Sequence, residues 1–111
     1  MRNPPSLRSG RAFRRVLERG QRASRDGLLV VSLVNSLPGE PSRLGLAVRC
    51  KQGAVARNRV KRRIREAFRL LGPVNGYDVV VRADDRVLET EYSRLVEDLG
   101  AALHRATGGG S

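Results

Sequence analysis

Arg57-Asn58-Arg59-Val60-Lys61-Arg62-Arg63-Ile64-Arg65-Glu66-Ala67-Phe68-Arg69 places seven cations and one acid in a segment that keeps a helical apolar stripe. At about 100° per residue, Val60, Ile64, Ala67, Phe68 and Leu71 fall in one sector, the face a helix buries. The far pole carries Asn58, Arg62, Arg65 and Arg69, with Arg59 and Lys61 on its flanks and Arg63 nearer the apolar edge. Like charges at i,i+3 and i,i+4 each cost a few tenths of a kcal/mol, so a ridge of this kind calls for a polyanion lying on it. RNA is the partner expected, and sulfate or phosphate should occupy the same surface. Glu66 is placed to pair with Arg62, Arg63 or Arg69. Gly72-Pro73 ends the helix, because glycine suits the left-handed cap and proline cannot continue it.

Outward from this segment the charge is uneven. The chain of 111 residues carries a formal +11. Residues 1–69 hold 18 basic and 4 acidic side chains, and residues 70–111 hold 4 and 7, so the two parts carry +14 and −3. The partner surface therefore belongs to the first two thirds. The length suits one domain with a modest core. We expect a flexible N-terminal arm over 1–10, a domain over 11–106 and a flexible tail over 107–111. No run of about 20 apolar residues is present to span a membrane. Met1-Arg2-Asn3-Pro4-Pro5 lacks the apolar core of a secretory signal, so the chain reads as cytoplasmic. Cys50 is the only cysteine, which excludes an internal disulfide and a multi-cysteine zinc site.

Before the basic segment, Ser9 can cap a helix from about Arg11 to Arg19, with Phe13, Val16 and Leu17 on one side and Gly20 at its end. Leu28–Asn35 reads as a buried strand, with a short one before it near Gln21–Ala23. Pro38-Gly39-Glu40-Pro41 signals a hairpin or loop. Arg43–Arg49 alternates Leu44, Leu46 and Val48 with Gly45 and Ala47. After the basic helix, Tyr77–Ala83 reads as a third long strand. Leu88, Tyr92, Leu95, Val96, Leu99 and Leu103 recur at helical spacing in one final helix, started by Asp84 or Asp85 with Glu89 and Glu91 in its first turn. The expectation is an α+β fold: a single-domain α-β sandwich with about four strands and three helices in the order αβββαβα.

The residues assemble no obvious catalytic machinery. A protein nuclease gathers carboxylates round a metal or uses a histidine for proton transfer. His104, the only histidine, reads as a dipole partner near a helix C-terminus. Asp84-Asp85 could be a metal pair with Asp78 joining them in space, although helix capping is the favoured reading. Cys50 reads as a structural thiol, having no histidine nearby. Phe13 reads as core on spacing alone, with a base-stacking platform as the alternative.

Gly53-Ala54-Val55-Ala56 followed by Arg57 to Arg69 resembles the motif of the bacterial ribonuclease P protein family. The similarity extends to Leu7 and Phe13, to Arg43-Leu44-Gly45-Leu46-Ala47-Val48, and to Tyr77-Asp78-Val79-Val80-Val81. It implies a protein component of an endoribonuclease that removes the 5′ leader from precursor tRNA, with a large catalytic RNA and its Mg2+ performing the hydrolysis and no cofactor in the protein itself. By that resemblance Arg57, Asn58, Arg59, Lys61, Arg62 and Arg65 lie against the catalytic RNA, and the helix geometry adds Arg69. Phe13 matches an aromatic of a central cleft between the first helix and the sheet where the leader passes, and Leu17, Val31 and Lys51 are assigned to the same cleft. The resemblance also implies a left-handed strand–helix–strand crossover, against the usual hand. Leu17 and Val31 stand where relatives often carry aromatics, and Cys50-Lys51 where two lysines are common. The rival readings are a ribosomal-type structural RNA-binding protein and a protein-only nuclease using Asp78, Asp84 and Asp85.

Overall fold

Alternation in the strands builds a sheet with two apolar faces. The computed structural model describes residues 4–25, 27–72 and 75–108. Strands β1 (Gln21–Arg25), β2 (Leu28–Val34), β3 (Arg43–Arg49) and β4 (Tyr77–Asp84) form one mixed sheet in the order β1-β2-β4-β3. β4 pairs antiparallel with β2 and parallel with β3. The Pro38–Pro41 segment is consequently a loop past an intervening strand and not a hairpin turn. Helix α2 (Ala54–Leu71) makes the crossover between the parallel neighbours β3 and β4.

One face carries Ala23, Val30, Leu44, Val79, Val81 and Ala83, buried against α2 and against α4 (Tyr92–Ala106) in the main core. Its largest side chains, Phe68, Ile64, Leu95 and Leu99, come from those two helices. The other face offers Val31 and Val80, which pack with Leu7 and with Val16 of α1 (Gly10–Arg19). Three layers result, helix–sheet–helix, with α1 alone on its side.

Local chemistry explains the element ends. Ser9 Oγ accepts a hydrogen bond from the Ala12 N–H at 3.4 Å, as an N-cap should. Gly20 follows α1 in extended backbone, so the left-handed cap expected there is absent. Its small size answers a close approach instead, since a Cβ would lie 2.6 Å from the Val16 carbonyl and 2.7 Å from that of Ser32. Gly72 does take the left-handed conformation, φ 57°, at the end of α2. Pro73, the second half of that stop signal, lies outside the described residues.

Two expectations are corrected. The single final helix is broken into α3 (Arg86–Glu89) and α4, giving four helices among the described residues. Thr90 and Glu91 between them are extended. Arg63 of α2 braces the break: its guanidinium donates to the carbonyls of Val87 and Thr90, the latter at 2.7 Å, while the Val87 carbonyl also accepts the Thr90 N–H at 3.4 Å. Capping falls to Asp84, which accepts from the Arg86 backbone N–H at 2.9 Å, while Asp85 makes no side-chain cap. The N-terminal arm is also tied down over part of its length. Leu7 N–H donates to Leu44 O at 2.9 Å and Leu44 N–H to Pro5 O at 2.8 Å, and the Leu7 side chain is buried. Residues 1–3 of that arm and 109–111 of the tail lie outside the described residues.

Candidate nucleic-acid interface

α2 buries Val60, Ile64, Ala67 and Phe68 and turns its cations outward. Arg57, Asn58, Arg59 and Arg62 are exposed, while Lys61, Arg65 and Arg69 are half-buried. The reason is helical precession: residues four apart are offset by about 40°, so the row Lys61–Arg65–Arg69 drifts round the cylinder. Its early members meet the edge strand β3. Its last member lines a groove with Glu66, Leu70 and Tyr92 on the α4 side. Arg63 is withdrawn from the ridge to hold α3. Glu66 makes no ion pair with the neighbouring arginines among the described residues, so the pairing expected for it does not form. The exposed cations of α2 are likewise without an acid within ion-pair distance. No side chain caps the helix start at Gly53, and no acid stands in its first turn.

On the opposite face, α1 crosses the sheet along the register row Gly45–Val80–Val31–Arg22. Phe13 lies on Gly45, where even a Cβ would come within 2.5 Å of the ring. Val16 rests among Val31 and Val80. Gly20 abuts Val31 near the outer edge. Val31 is thereby fully buried beneath the helix. This corrects its assignment to an accessible cleft: it supports α1 from below and cannot meet a ligand.

The next register row, Ser24–Leu29–Arg82–Ala47, is not covered. With Arg49, Asp84 and Arg86 it bounds an open concavity of about 660 Å³. Phe13 and Leu17, one turn apart and both half-buried, lie on the flank of α1 turned toward this row and do not line the concavity itself. That orientation follows from Arg15, which helix geometry puts on the far flank and whose charge acts on Asp78, in the row on the other side of α1. Lys51 is exposed in the turn after β3, beyond Arg49 at the rim of the floor.

A narrow groove of about 170 Å³ links the two faces at the β3 edge. Phe13, Lys61 and Arg65 line it together with Leu7, Gly45 and Leu46. The structure thus brings the aromatic side chain of the cleft beside two cations of the basic helix, residues that lie about fifty positions apart in the chain.

The acids considered for metal binding are not gathered. Asp78 is held by Arg43 through two hydrogen bonds of 2.8 Å and by Asn35 at 3.0 Å. Burial alone would push its carboxyl up, but these donors and the nearby arginines hold it below the usual carboxylate range. Asp84 is chelated by Arg86, which also lowers it. The two acids stand at opposite ends of β4, roughly 20 Å apart at 3.3 Å per residue. No group of three His, Cys, Asp or Glu capable of holding a metal occurs among the described residues. Cys50 is half-buried between β3 and α2, and His104 is exposed in the last turn of α4.

The reading from sequence missed the floor residues Ser24, Leu29, Ala47 and Arg82. Their signal was available in β4, where Asp78, Val80 and Arg82 alternate with the core-facing Val79, Val81 and Ala83. Arg82 had to point away from the main core.

A cationic helix that meets, at one strand edge, an open sheet face floored by apolar and arginine side chains defines an RNA-binding protein of the α-β sandwich class. Residues 1–107 match the family described as Ribonuclease P. The chain is 42% identical to the ribonuclease P protein component of Streptomyces avermitilis, covering 95% of this chain and 94% of that one. It is 36% identical to the corresponding component of Gluconacetobacter diazotrophicus, over 90% and 89%. The RNase P protein of Thermotoga maritima superposes with a TM-score of 0.74 at 26% identity, covering 94% and 97%. A Staphylococcus aureus RNase P protein mutant, described as defective in mRNA degradation, gives 0.78 at 25%, over 92% and 87%. The chain belongs to the ribonuclease P protein family.

Proposed function

We propose that this chain is the RNA-binding protein component of ribonuclease P, which assists a catalytic RNA in removing the 5′ leader from precursor tRNA. The observation that carries the reading is the groove shared by Phe13, Lys61 and Arg65, which joins the α2 ridge to the open sheet face. Arg57, Asn58, Arg59, Lys61, Arg62, Arg65 and Arg69 are assigned to the catalytic RNA. Each phosphate they neutralise releases counterions and lowers the repulsion between two RNAs brought together. Phe13 and Leu17, beside the row of Leu29, Ala47 and Arg82, are assigned to the single-stranded leader, whose bases can stack on an aromatic ring and slide over aliphatic surface. Lys51, exposed in the turn beyond Arg49, supplies a further cation. Hydrolysis belongs to the RNA and its Mg2+, and the protein contributes charge, position and grip on the leader. The compartment of this reading is the cytoplasm. Among the described residues no helix is long and apolar enough to cross a membrane.

Reconstitution with ribonuclease P RNA tests this directly. Cleavage of precursor tRNA at low Mg2+ should require both components. Cleavage by the protein alone would instead make it a nuclease in its own right. RNA binding with no gain in cleavage would make it a structural RNA-binding protein.

A further inference from the structure

The cationic surface is not confined to α2. α1 spans ten residues and carries Arg11, Arg14, Arg15 and Arg19 against a single acid, Glu18. All five side chains are exposed and together border an open furrow of about 580 Å³. Three physical features set this helix apart from an ordinary solvated face. Arg11–Arg15 and Arg15–Arg19 are like-charge pairs at i,i+4, and Arg11–Arg14 is one at i,i+3, each of them unfavourable in isolation. The first turn holds no acid, so Arg11 faces the positive end of the helix dipole. Glu18 is spaced to pair with Arg14 or Arg15, yet no ion pair forms among these residues. Arg15 also acts on Asp78, which is itself held by Arg43.

The ridge is also well placed. Arg11, Arg15 and Arg19 are spaced at about 6 Å along the helix, close to the separation of successive phosphates on a nucleic-acid strand. They lie on the outer side and far flank of α1, away from the flank that carries Phe13 and Leu17. A strand resting against Phe13 and Leu17 cannot reach them. α1 and α2 sit on opposite faces of the sheet, so the two ridges are separated by the thickness of the sandwich.

We infer that the arginine ridge of α1 is a second RNA-binding surface, taking the phosphodiester backbone of a segment distinct from those on α2 and in the cleft. The protein would then clamp RNA on both faces and act as a bridge between segments. Either the catalytic RNA or the body of the tRNA substrate supplies such a backbone.

The test is a salt titration of binding by the full chain carrying Arg11→Gln, Arg15→Gln and Arg19→Gln together. Glutamine keeps helix propensity while removing charge. Loss of three contacts should lower the slope of log K against log salt by about 2 to 2.7 units. Separate titrations with catalytic RNA and with mature tRNA identify which RNA supplies the segment, and a fall with either supports the inference. The triple lysine variant should retain the slope, which separates lost charge from lost folding. An unchanged slope with both RNAs overturns the inference. So does a variant whose only loss is binding to phosphatidylglycerol vesicles, because the ridge would then be a lipid contact.

Discussion

Asp78 is removed from water, and its state is decided by its partners. Burial opposes ionisation, whereas the paired N–H groups of Arg43, the amide of Asn35 and the charge of Arg15 more than offset it. Its folded value lies below the unfolded one, so the stabilisation is complete above about pH 4 and is lost as pH falls through the folded value. Arg43→Ala should therefore cost about 1–3 kcal/mol at pH 7 by leaving a buried acceptor under-satisfied. Urea midpoints should show that gap narrowing toward pH 3, where protonation removes the burden from the variant. Parallel curves would mean that the pair carries no pH dependence. Phe13 stands at the junction of cleft and ridge. In the holoenzyme, Phe13→Ala should weaken precursor tRNA relative to mature tRNA by about 1–3 kcal/mol, since only the precursor has a leader to stack. Gly45→Ala should act in the same direction by displacing the ring it lies under. Equal losses for both substrates would return Phe13 to a packing role.

Within α2, adjacent arginines have opposite destinations. Arg62 is exposed and Arg65 borders the groove, whereas Arg63 is committed to the carbonyls that bound α3. Arg62→Ala and Arg65→Ala should each reduce the salt slope of binding to the catalytic RNA by somewhat under one unit, leaving thermal stability nearly unchanged. Arg63→Ala should do the reverse. Its loss removes two charge-assisted hydrogen bonds, worth about 1.5–3 kcal/mol each, and should speed hydrogen exchange in residues 86–91 while the slope stays put. If Arg63→Ala lowers the slope as much as Arg62→Ala, the division between ridge and clamp is wrong.

For the folded molecule as a whole, the distribution of charge sets the stability. Residues 1–69 carry +14, and the ridges on α1 and α2 are compacted onto the two faces of one sheet. Such a surface repels itself more in the folded chain than in the expanded one, against a margin of only several kcal/mol for a domain of this size. Sulfate bound to the folded surface and not to the unfolded chain should stabilise by about 2.7 kcal/mol at 100 times its dissociation constant. The melting temperature should thus rise further in sulfate than in chloride at matched ionic strength. Equal rises would leave general screening as the whole effect and remove the case for phosphate-shaped sites.

The period of the side chains was enough to place β3 at Arg43–Arg49, to orient Val60, Ile64, Ala67 and Phe68 inward, and to expose Arg57, Asn58, Arg59 and Arg62. Periodicity is local: it fixes where a side chain points relative to its own helix or strand, and the charge of the basic helix needs no neighbour to be recognised. It could not say what would cover each face. Val31 belongs to a continuous apolar run that does not tell one face from the other, and it is sealed because α1 crosses over it. The pattern from Leu88 to Leu103 is continuous, yet the helix breaks at Thr90 and Glu91, where a guanidinium 24 residues earlier reaches the Val87 carbonyl and braces the turn. Phe13 shares a groove with Lys61 and Arg65 only because the N-terminal segment runs along β3 as α2 passes the same edge. Those outcomes belong to packing between segments distant in the chain, where one side chain's partner is decided by the fold that delivers it.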